Sequence, residues 1–228
     1  HLGPQLAIAD GVALAHKLRK EKKVSLAFTG DGGTSEGDFH EALNIASVWD
    51  LPVLFVVENN GYGLSTPTNE QYRCENLADK GTGYGMESHI VDGNNILEVY
   101  TKISELKASM IEDPRPVLLE FKTFRMRGHE EASGTKYVPQ ELMDMWAVKD
   151  PISNYRNYLL SISVLSEEED EKIKGSIKKE IDEHWAITQA EPDFEANLLE
   201  ELNDMYKPYH FEEINPSGNV ENIRVVDA

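Results

Sequence analysis

The pattern of apolar and polar positions predicts an α/β domain in the first 125 residues. Two short and almost wholly apolar runs, "VSLAFTG" and "LPVLFVVEN", are typical of strands, and the second reads as a strand buried on both faces of a parallel sheet. Between them the apolar residues follow a helical period, which makes a strand–helix–strand unit. "SHIVDG" and "PVLLEFKTFR" predict further strands around the amphipathic "NNILEVYTKISELKASMIED". The predicted fold class is a doubly wound, mostly parallel sheet with helices on both faces.

Three helices carry specific predictions. The first is an alanine-rich helix that is expected to be buried through Leu6, Ile8, Ala9, Val12, Ala13 and Leu18. The helix after the first strand is expected to begin at a cap of Thr34 or Ser35 and to bury one broad face formed by Phe39, Ala42, Leu43, Ile45, Ala46 and Trp49. A later stripe at i, i+4 spacing is assigned to packing, not to function: Ile173, Ile177, Ile181 and Trp185.

The polarity and periodicity of the sequence change after residue 125. Residues 126–138 are polar and without periodicity, which predicts a mobile loop that belongs with the α/β domain, 1–138. Residues 139–207 read as a helical C-terminal extension, and 208–228 as a linker followed by the start of another strand. Because the chain starts without Met and already in a helical pattern, we expect it to be an excerpt of a longer polypeptide.

Charge and composition narrow the function classes. Lys and Arg total 22 against 41 Asp and Glu, and a formal net charge of -19 argues against sequence-independent nucleic-acid binding, which needs a basic surface. The single cysteine, Cys74, excludes an internal disulfide framework and fits a reducing compartment. No apolar run reaches the roughly 18 residues that a bilayer requires, and no signal peptide is visible.

The loop "TGDGGTSEGDF" after the first strand is the first candidate for chemistry. Counting excludes a calcium EF-hand loop, a dinucleotide fingerprint and a P-loop, because each lacks required residues at the required spacing. What remains is a strand end that enters a helix N-terminus, where backbone N–H groups favour an anion and Gly32 and Gly33 allow close approach. Asp31 would repel a bare phosphate, so the loop indicates a diphosphate bridged by a divalent cation.

A second polar segment, "ENNGYG", follows the next buried strand at the same predicted edge of the sheet. An amide oxygen of Asn59 or Asn60 and a backbone carbonyl just beyond could complete a magnesium site. The alternative is a plain polar turn, since Asn-Gly is a common turn dipeptide. The pairing with the Asp31 loop one strand–helix–strand unit earlier favours the metal.

These motifs resemble a known enzyme family. Gly30-Asp31-Gly32, with Asn60 29 positions after Asp31, resembles the thiamine diphosphate-binding motif. "EGDFHEALNIASVWDLPVLFVVENNGYGLSTPTNEQY", "FRMRGHEEASG" and "WAVKDPISNYRNYLL" resemble the α subunit of the decarboxylating component of 2-oxo acid dehydrogenases, from Leu2 to about Tyr206. "NNGYGLSTPTNEQYR" is most similar to the branched-chain (2-oxoisovalerate) members, and bacterial pyruvate members share much of it.

The resemblance implies roles for eight residues. Asp31, the Asn60 side chain and the Tyr62 carbonyl would bind Mg²⁺, and the amides of Gly32 and Gly33 would hold the diphosphate. Arg125 matches an arginine that contacts phosphate, the Leu2 carbonyl meets the aminopyrimidine of the cofactor, and His129 matches the histidine of a mobile active-site loop. Mammalian members carry a phosphorylatable serine directly after this histidine, where this chain has Glu130.

The implied activity is thiamine diphosphate- and magnesium-dependent oxidative decarboxylation of a 2-oxo acid, with acyl transfer to a lipoyl group on an acyltransferase component. A β subunit or β region would supply the activating glutamate. Because "NVENIRVVDA" resembles the opening of that subunit, we expect an α–β fusion, in an α2β2-like or fused homodimeric assembly, whose excerpt is inactive alone. We expect a cytoplasmic bacterial protein, or a mitochondrial matrix protein if eukaryotic, without nucleic-acid or membrane partners.

Alternatives within and beyond the family stay open at this point. A pyruvate or acetoin dehydrogenase of the same family differs only in substrate, and a transketolase-like thiamine enzyme shares the cofactor motif. A hypothesis from a different functional class is a non-catalytic assembly domain that keeps the fold without the chemistry. The intact set of Asp31, Asn60, Arg125 and His129 argues against it.

Overall fold

The structure is a computed structural model and describes residues 2–213. Its strands are β1 (Ser25–Gly30), β2 (Val53–Asn59), β3 (Tyr62–Gly63), β4 (Thr66–Pro67), β5 (Glu87–Asp92) and β6 (Val117–Lys122). Its α-helices are α1 (Pro4–Leu18), α2 (Gly37–Val48), α3 (Thr68–Gln71), α4 (Ile96–Glu112), α5 (Gln140–Ala147), α6 (Pro151–Ser161), α7 (Glu167–Ala190) and α8 (Leu198–Asp204). Two 3-10 helices span Gly32–Ser35 and Leu77–Tyr84.

The main sheet has the strand order β1-β2-β6-β5, and every pairing in it is parallel. Helices α1 and α2 and the 3-10 helix at Leu77–Tyr84 pack on one face, and α4 packs on the other. The predicted α/β fold with a parallel sheet and helices on both faces is therefore confirmed. A separate antiparallel pair, β3 and β4, follows the carboxyl end of β2.

Strand β2 is central because side chains on both of its faces are buried. Val53, Phe55 and Val57 belong to the core under α1 and α2, while Leu54 and Val56 belong to the core under α4. This arrangement matches the almost continuous apolar run that the sequence shows, since a strand covered on both sides has no solvent-facing positions to fill with polar residues.

The prediction that α1 is buried throughout is wrong for half of the residues on which it rested. Leu6, Ala9 and Ala13 are buried, but the others are exposed: Ile8 (65%), Val12 (44%) and Leu18 (74%). A helix against one layer of a sheet buries one stripe only, and residues about 100° round the helix point away. Asp10 occupies the buried stripe instead.

The predicted start and apolar face of α2 also need correction. A 3-10 turn, Gly32–Ser35, separates β1 from α2, so the cap residue is Glu36 instead of Thr34 or Ser35, and its side chain makes no capping hydrogen bond. Phe39, Ala42, Leu43 and Ala46 are fully buried as expected, whereas Ile45 and Trp49 are exposed.

The chain divides into two compact units, His1–Glu167 and Glu168–Ala228. Helices α5 and α6 belong to the first unit, so the predicted extension at 139–207 crosses this division and its boundaries stay predictions. The predicted linker and strand at 208–228 lie outside the described residues from position 214 onward. No helix within residues 2–213 is both long enough and apolar enough to cross a membrane.

The second unit contains most of α7, whose predicted packing stripe is exposed. Ile173, Ile177, Ile181 and Trp185 are each more than half exposed. The unit offers little to cover them, because its other described helix, α8, is only seven residues long and its own leucines are exposed. The assignment of this stripe to packing is therefore wrong for the residues that the structure describes.

Candidate functional site

The sheet brings the two predicted loops to one edge. Gly30 at the end of β1 pairs with Glu58 near the end of β2, in parallel register. The residues that follow, Asp31 on one strand and Asn60 on the other, therefore leave the sheet at neighbouring positions. Parallel α/β sheets bind their ligands at this carboxyl edge.

Asp31 is a buried carboxylate with little compensation. The residue is 1% exposed, and its Oδ2 accepts one hydrogen bond, from Nε2 of Gln71 at 2.8 Å. Its backbone carbonyl accepts from the amide and the hydroxyl of Thr34, at 3.2 and 2.7 Å. Among the described residues no cationic side chain forms an ion pair with it. A charge removed from water with one neutral donor is unfavourable unless a cation joins it.

A half-buried cation near the loop, Lys80, is directed elsewhere. Nζ of Lys80 donates to the carbonyl and the hydroxyl oxygen of Thr34, at 2.8 and 3.0 Å. The ammonium also lies over the rings of Phe39 and Tyr72, at 5.5 and 5.8 Å from their centroids. Burial lowers the pKa of Lys80. Lys80 thus stabilises the turn after Asp31 and leaves the carboxylate itself unpaired.

The glycines of the loop are required by close packing. A Cβ added at Gly32 would lie 3.3 Å from the Cα of Gly63, and one added at Gly33 would lie 2.2 Å from Oγ1 of Thr29. The first contact joins the Asp31 loop to the turn after β2, backbone against backbone. A side chain at Gly32 would fill that space, and one at Gly33 would collide with its own strand.

The turn after β2 holds the other two predicted metal ligands. Oδ1 of Asn60 accepts from the amide of Tyr62 at 3.3 Å, and the carbonyl of Tyr62 accepts from Nη1 of Arg125 at 3.4 Å. Gly61 between them has φ +89°, and an added Cβ would lie 3.3 Å from the ring of Phe124. The two oxygens therefore sit on one turn, each engaged by a single long hydrogen bond.

Arg125 connects this turn to the predicted active-site loop. Its Nη2 donates to the carbonyl of Leu64 and, at 3.0 Å, to the hydroxyl of Tyr137. Its Nη1 lies 3.3 Å from Nδ1 of His129, an exposed side chain. Because arginine can only donate, this contact requires Nδ1 to carry no proton. Residues 126–138 form bends and turns without helix or strand.

Comparison with known proteins identifies the family. Residues 1–197 match the profile of the Dehydrogenase E1 component family. The chain belongs to this family.

Several curated relatives of this E1 family member come from plants and bacteria. It is 37% identical over 217 residues to the 2-oxoisovalerate dehydrogenase subunit alpha 1, mitochondrial, of Arabidopsis thaliana, covering 93% of this chain and 45% of that one. It is 37% identical to the pyruvate dehydrogenase E1 component subunit alpha of Bacillus subtilis, covering 93% of this chain and 58% of that one. It is 38% identical to the 3-methyl-2-oxobutanoate dehydrogenase subunit alpha of Mycobacterium tuberculosis, covering 86% of this chain and 54% of that one. The chain spans about half the length of these relatives.

Among solved structures, a provisionally assigned thiamin diphosphate-dependent enzyme from Mycobacterium smegmatis matches 53% of this chain and 22% of its own. The TM-score is 0.42 and the sequence identity is 21%. A likeness this distant supports no conclusion about the E1 family member described here.

Most predicted site residues of this E1 family member form one continuous set of contacts, and Leu2 does not join it. Asp31 and Gly32 contact the turn of Asn60 and Tyr62 through Gln71 and Gly63, and Arg125 links that turn to His129. Leu2 precedes α1 and is 73% exposed. Within residues 2–213 no hydrogen bond joins it to the loops.

Sequence reasoning missed the residues behind the site. Gln71 reaches Asp31, and Tyr72 accepts from Nδ2 of Asn59 at 3.0 Å. Asn59 also donates to Oε1 of Glu120 at 2.7 Å, and Oε2 of that carboxylate accepts from the amide of Ala78 at 2.8 Å. The glutamate inside the apolar run "PVLLEFK" was the one visible signal of this network, because a charged residue at a buried strand position needs partners.

Proposed function

We propose that this chain is the α region of a thiamine diphosphate- and magnesium-dependent 2-oxo acid dehydrogenase E1 component. Family membership supports the reaction class, and the unpaired, buried carboxylate of Asp31 is the observation that carries the cofactor assignment. When bound, the cofactor supplies the carbanion that decarboxylation of a 2-oxo acid requires. The chain's own residues bind and orient it and move protons.

The donor set fits magnesium. Asp31 offers a carboxylate, Asn60 an amide oxygen and Tyr62 a backbone carbonyl, all of them the hard oxygen ligands that Mg²⁺ takes together with waters and phosphate oxygens. Among the described residues no group of three or more His, Cys, Asp and Glu side chains is placed so that it could hold a metal ion by itself. A site with one carboxylate leaves coordination positions for a diphosphate, whose negative charge the cation would neutralise.

The remaining residues would act on the organic part of the cofactor and on the substrate. The amides of Gly32 and Gly33 would face the diphosphate, and the Leu2 carbonyl would face the aminopyrimidine. Arg125 would exchange its carbonyl partners for a phosphate oxygen, for which its planar donor fork is suited. His129, exposed next to Arg125, would orient substrate and exchange a proton with it.

Substrate and partners follow from the resemblance. We favour a branched-chain 2-oxo acid, with pyruvate or acetoin dehydrogenase activity as the alternative and a transketolase-like activity as a more distant one. The relatives do not separate the first two, because the Arabidopsis and Bacillus proteins are both 37% identical. The partners would be a β subunit or β region that supplies the activating glutamate and an acyltransferase with a lipoyl group. The location would be the bacterial cytoplasm or the mitochondrial matrix.

The test is an assay of the full-length protein with thiamine diphosphate, Mg²⁺ and an artificial electron acceptor. We expect oxidation of 2-oxoisovalerate to exceed that of pyruvate. Asp31→Ala should abolish magnesium-dependent cofactor binding, whereas Asp182→Ala, which removes an exposed aspartate of α7, should not. Failure to decarboxylate any 2-oxo acid would refute the function, and a preference for pyruvate would refute only the branched-chain assignment.

A further inference from the structure

Gln71 is the only described side chain that donates a hydrogen bond to the carboxylate of Asp31, forty positions earlier in the chain. Its Nε2 donates to Oδ2 of Asp31 and to the carbonyl of Thr66, both at 2.8 Å. Both partners can only accept, so they take the two hydrogens of the amide and fix its orientation. Oδ1 of Asp31 accepts no hydrogen bond from the described residues.

The other end of the Gln71 amide is buried and has no partner within residues 2–213. Its Oε1 accepts no hydrogen bond from them, although water does not reach it. A Cβ added at Gly63 would lie 3.2 Å from this oxygen, and one added at Gly32 would lie 3.8 Å from it. The oxygen therefore lies against the contact between the two loops, where it lacks a donor. A buried acceptor without a partner is uncommon and calls for an explanation.

The next residue extends the connection to the second loop. Tyr72 directly follows α3, and its hydroxyl accepts from Nδ2 of Asn59, the neighbour of Asn60. A single turn of helix thus holds the Asp31 loop through Gln71 and the end of β2 through Tyr72. Any change in the position of α3 would move both sets of predicted metal ligands together.

We propose that Gln71 is a positioning residue for the metal ion. By holding Oδ2 of Asp31, it leaves Oδ1 to face the cation. Groups that orient the ligands of a metal ion contribute about 10–100-fold to metal affinity. This inference rests on the proposed function and adds to it a residue that binds neither cofactor nor substrate.

The experiment uses Mn²⁺ as the probe, titrated by electron paramagnetic resonance into the full-length protein with saturating thiamine diphosphate. Gln71→Met preserves the shape of the side chain but removes both hydrogen-bonding ends. We expect its Mn²⁺ dissociation constant to rise about 10–100-fold. The dissociation constant of thiamine diphosphate at saturating metal should not change. If the substitution only loosened the loop, the binding of Mn²⁺ and the binding of thiamine diphosphate would both weaken. Gln140→Met removes a comparable Gln–Asp hydrogen bond on exposed α5 and should change neither constant.

Three further measurements make the outcome decisive. The metal-free melting temperature of Gln71→Met shows whether it is folded; if it is not, Gln71→Asn, whose amide is one methylene short of Asp31, takes its place. If Asp31→Ala abolishes Mn²⁺ binding and the Gln71 variants bind Mn²⁺ normally, this inference is overturned while the proposed function stands. If Asp31→Ala itself binds Mn²⁺ normally, the magnesium site of the proposed function is overturned as well.

Discussion

Two buried carboxylates near the carboxyl edge of the sheet have opposite surroundings. Glu120 on β6 is fully buried, and it accepts hydrogen bonds from Asn59, from the amide of Ala78 and, at 2.5 Å, from Nζ of Lys122. Asp31 after β1 is equally buried but has one neutral donor, Gln71. The first charge is balanced by the protein alone, whereas the second is not.

The difference separates a structural charge, Glu120, from the charge that we propose binds a metal ion, Asp31. Both side chains are acidic and both are withdrawn from water; Glu120 lies in a strand of the sheet, and Asp31 directly follows another. A carboxylate whose partners are all present stabilises the folded chain, while one that lacks them lowers stability until a ligand completes the site. Incomplete compensation, together with a position at the carboxyl edge of the sheet, is therefore what supports the proposed binding role of Asp31.

The largest effect is expected for Glu120→Ala. Removing this carboxylate leaves the amide of Ala78 without an acceptor, takes one of two acceptors from the amide of Asn59 and removes the ion-pair partner of Lys122. The free energy of unfolding should therefore fall by about 3–5 kcal/mol. Chemical denaturation followed by tryptophan fluorescence measures it. Glu112→Ala removes an exposed carboxylate that pairs with Lys22, and we expect a loss of about 0–1 kcal/mol there. Equal losses for both variants would show that the Glu120 network is not structural.

Asp31→Asn should act in the opposite direction. Without metal, the variant removes an uncompensated buried charge and should be at least as stable as the unmodified protein. With metal and cofactor at about 100 times their dissociation constants, the unmodified protein should gain about 2.7 kcal/mol, and the variant nothing. Thermal unfolding with and without Mg²⁺ and thiamine diphosphate measures both quantities. A metal-free variant that is clearly less stable would show that Asp31 is as well compensated as Glu120.

Asp10 on α1 extends the comparison to a carboxyl group that has no partner in the described part of the chain. Both of its oxygens are buried and accept no hydrogen bond there, and burial raises its pKa from 3.8 to about 7. The folded chain therefore holds a proton that the unfolded chain releases near pH 3.8, so this group lowers stability as pH rises from about 4 to about 7 and has a constant effect above that.

Asp10→Ala removes this pH-dependent cost. We expect the variant to exceed the unmodified protein in stability by about 1–3 kcal/mol at pH 8, with a smaller difference at pH 5. Denaturation of both proteins across this pH range measures the difference. A difference that does not change with pH would show that the Asp10 carboxyl is ionised in the folded chain throughout.

The smallest effect is expected for Tyr72→Phe. This variant removes the hydroxyl that accepts from Asn59 but leaves Glu120 as the other partner of that amide. The loss should be about 0.5–1.5 kcal/mol, the usual contribution of one hydrogen bond. The same denaturation assay measures it, and a loss as large as that of Glu120→Ala would mean that the hydroxyl, not the carboxylate, holds the network.

Much of the fold could be predicted because its central strands have a distinctive composition. β2 and β6 are short apolar runs between polar turns, and burial on both faces requires that composition. The exposed sides of Ile8 on α1 and Trp185 on α7 could not be predicted, because an apolar helix position shows only that it can be buried. Whether a second layer covers it depends on tertiary packing that periodicity does not contain.

The site was predictable where its residues adjoin strand ends. Asp31 and Asn60 follow the apolar runs directly, so the parallel order of β1 and β2 brings them together. Gln71 was not predictable from spacing. Its contact with Asp31 requires the chain to fold back through β3 and β4, and no local pattern encodes that distance. The assignment of metal ligands to Asp31, Asn60 and Tyr62 itself stays a prediction.

The position of β1 at the edge of the described sheet affects how firmly Asp31, the residue after it, is held. Among the described residues it pairs with β2 alone, and on one of its faces Leu26 and Phe28 are almost half exposed. An edge strand held from one side yields more readily than a central one and offers its free backbone groups to any other chain. Whatever pairs with that edge would also stiffen the support of Asp31, so the geometry of the proposed metal site would depend on an edge of the sheet that takes no part in it.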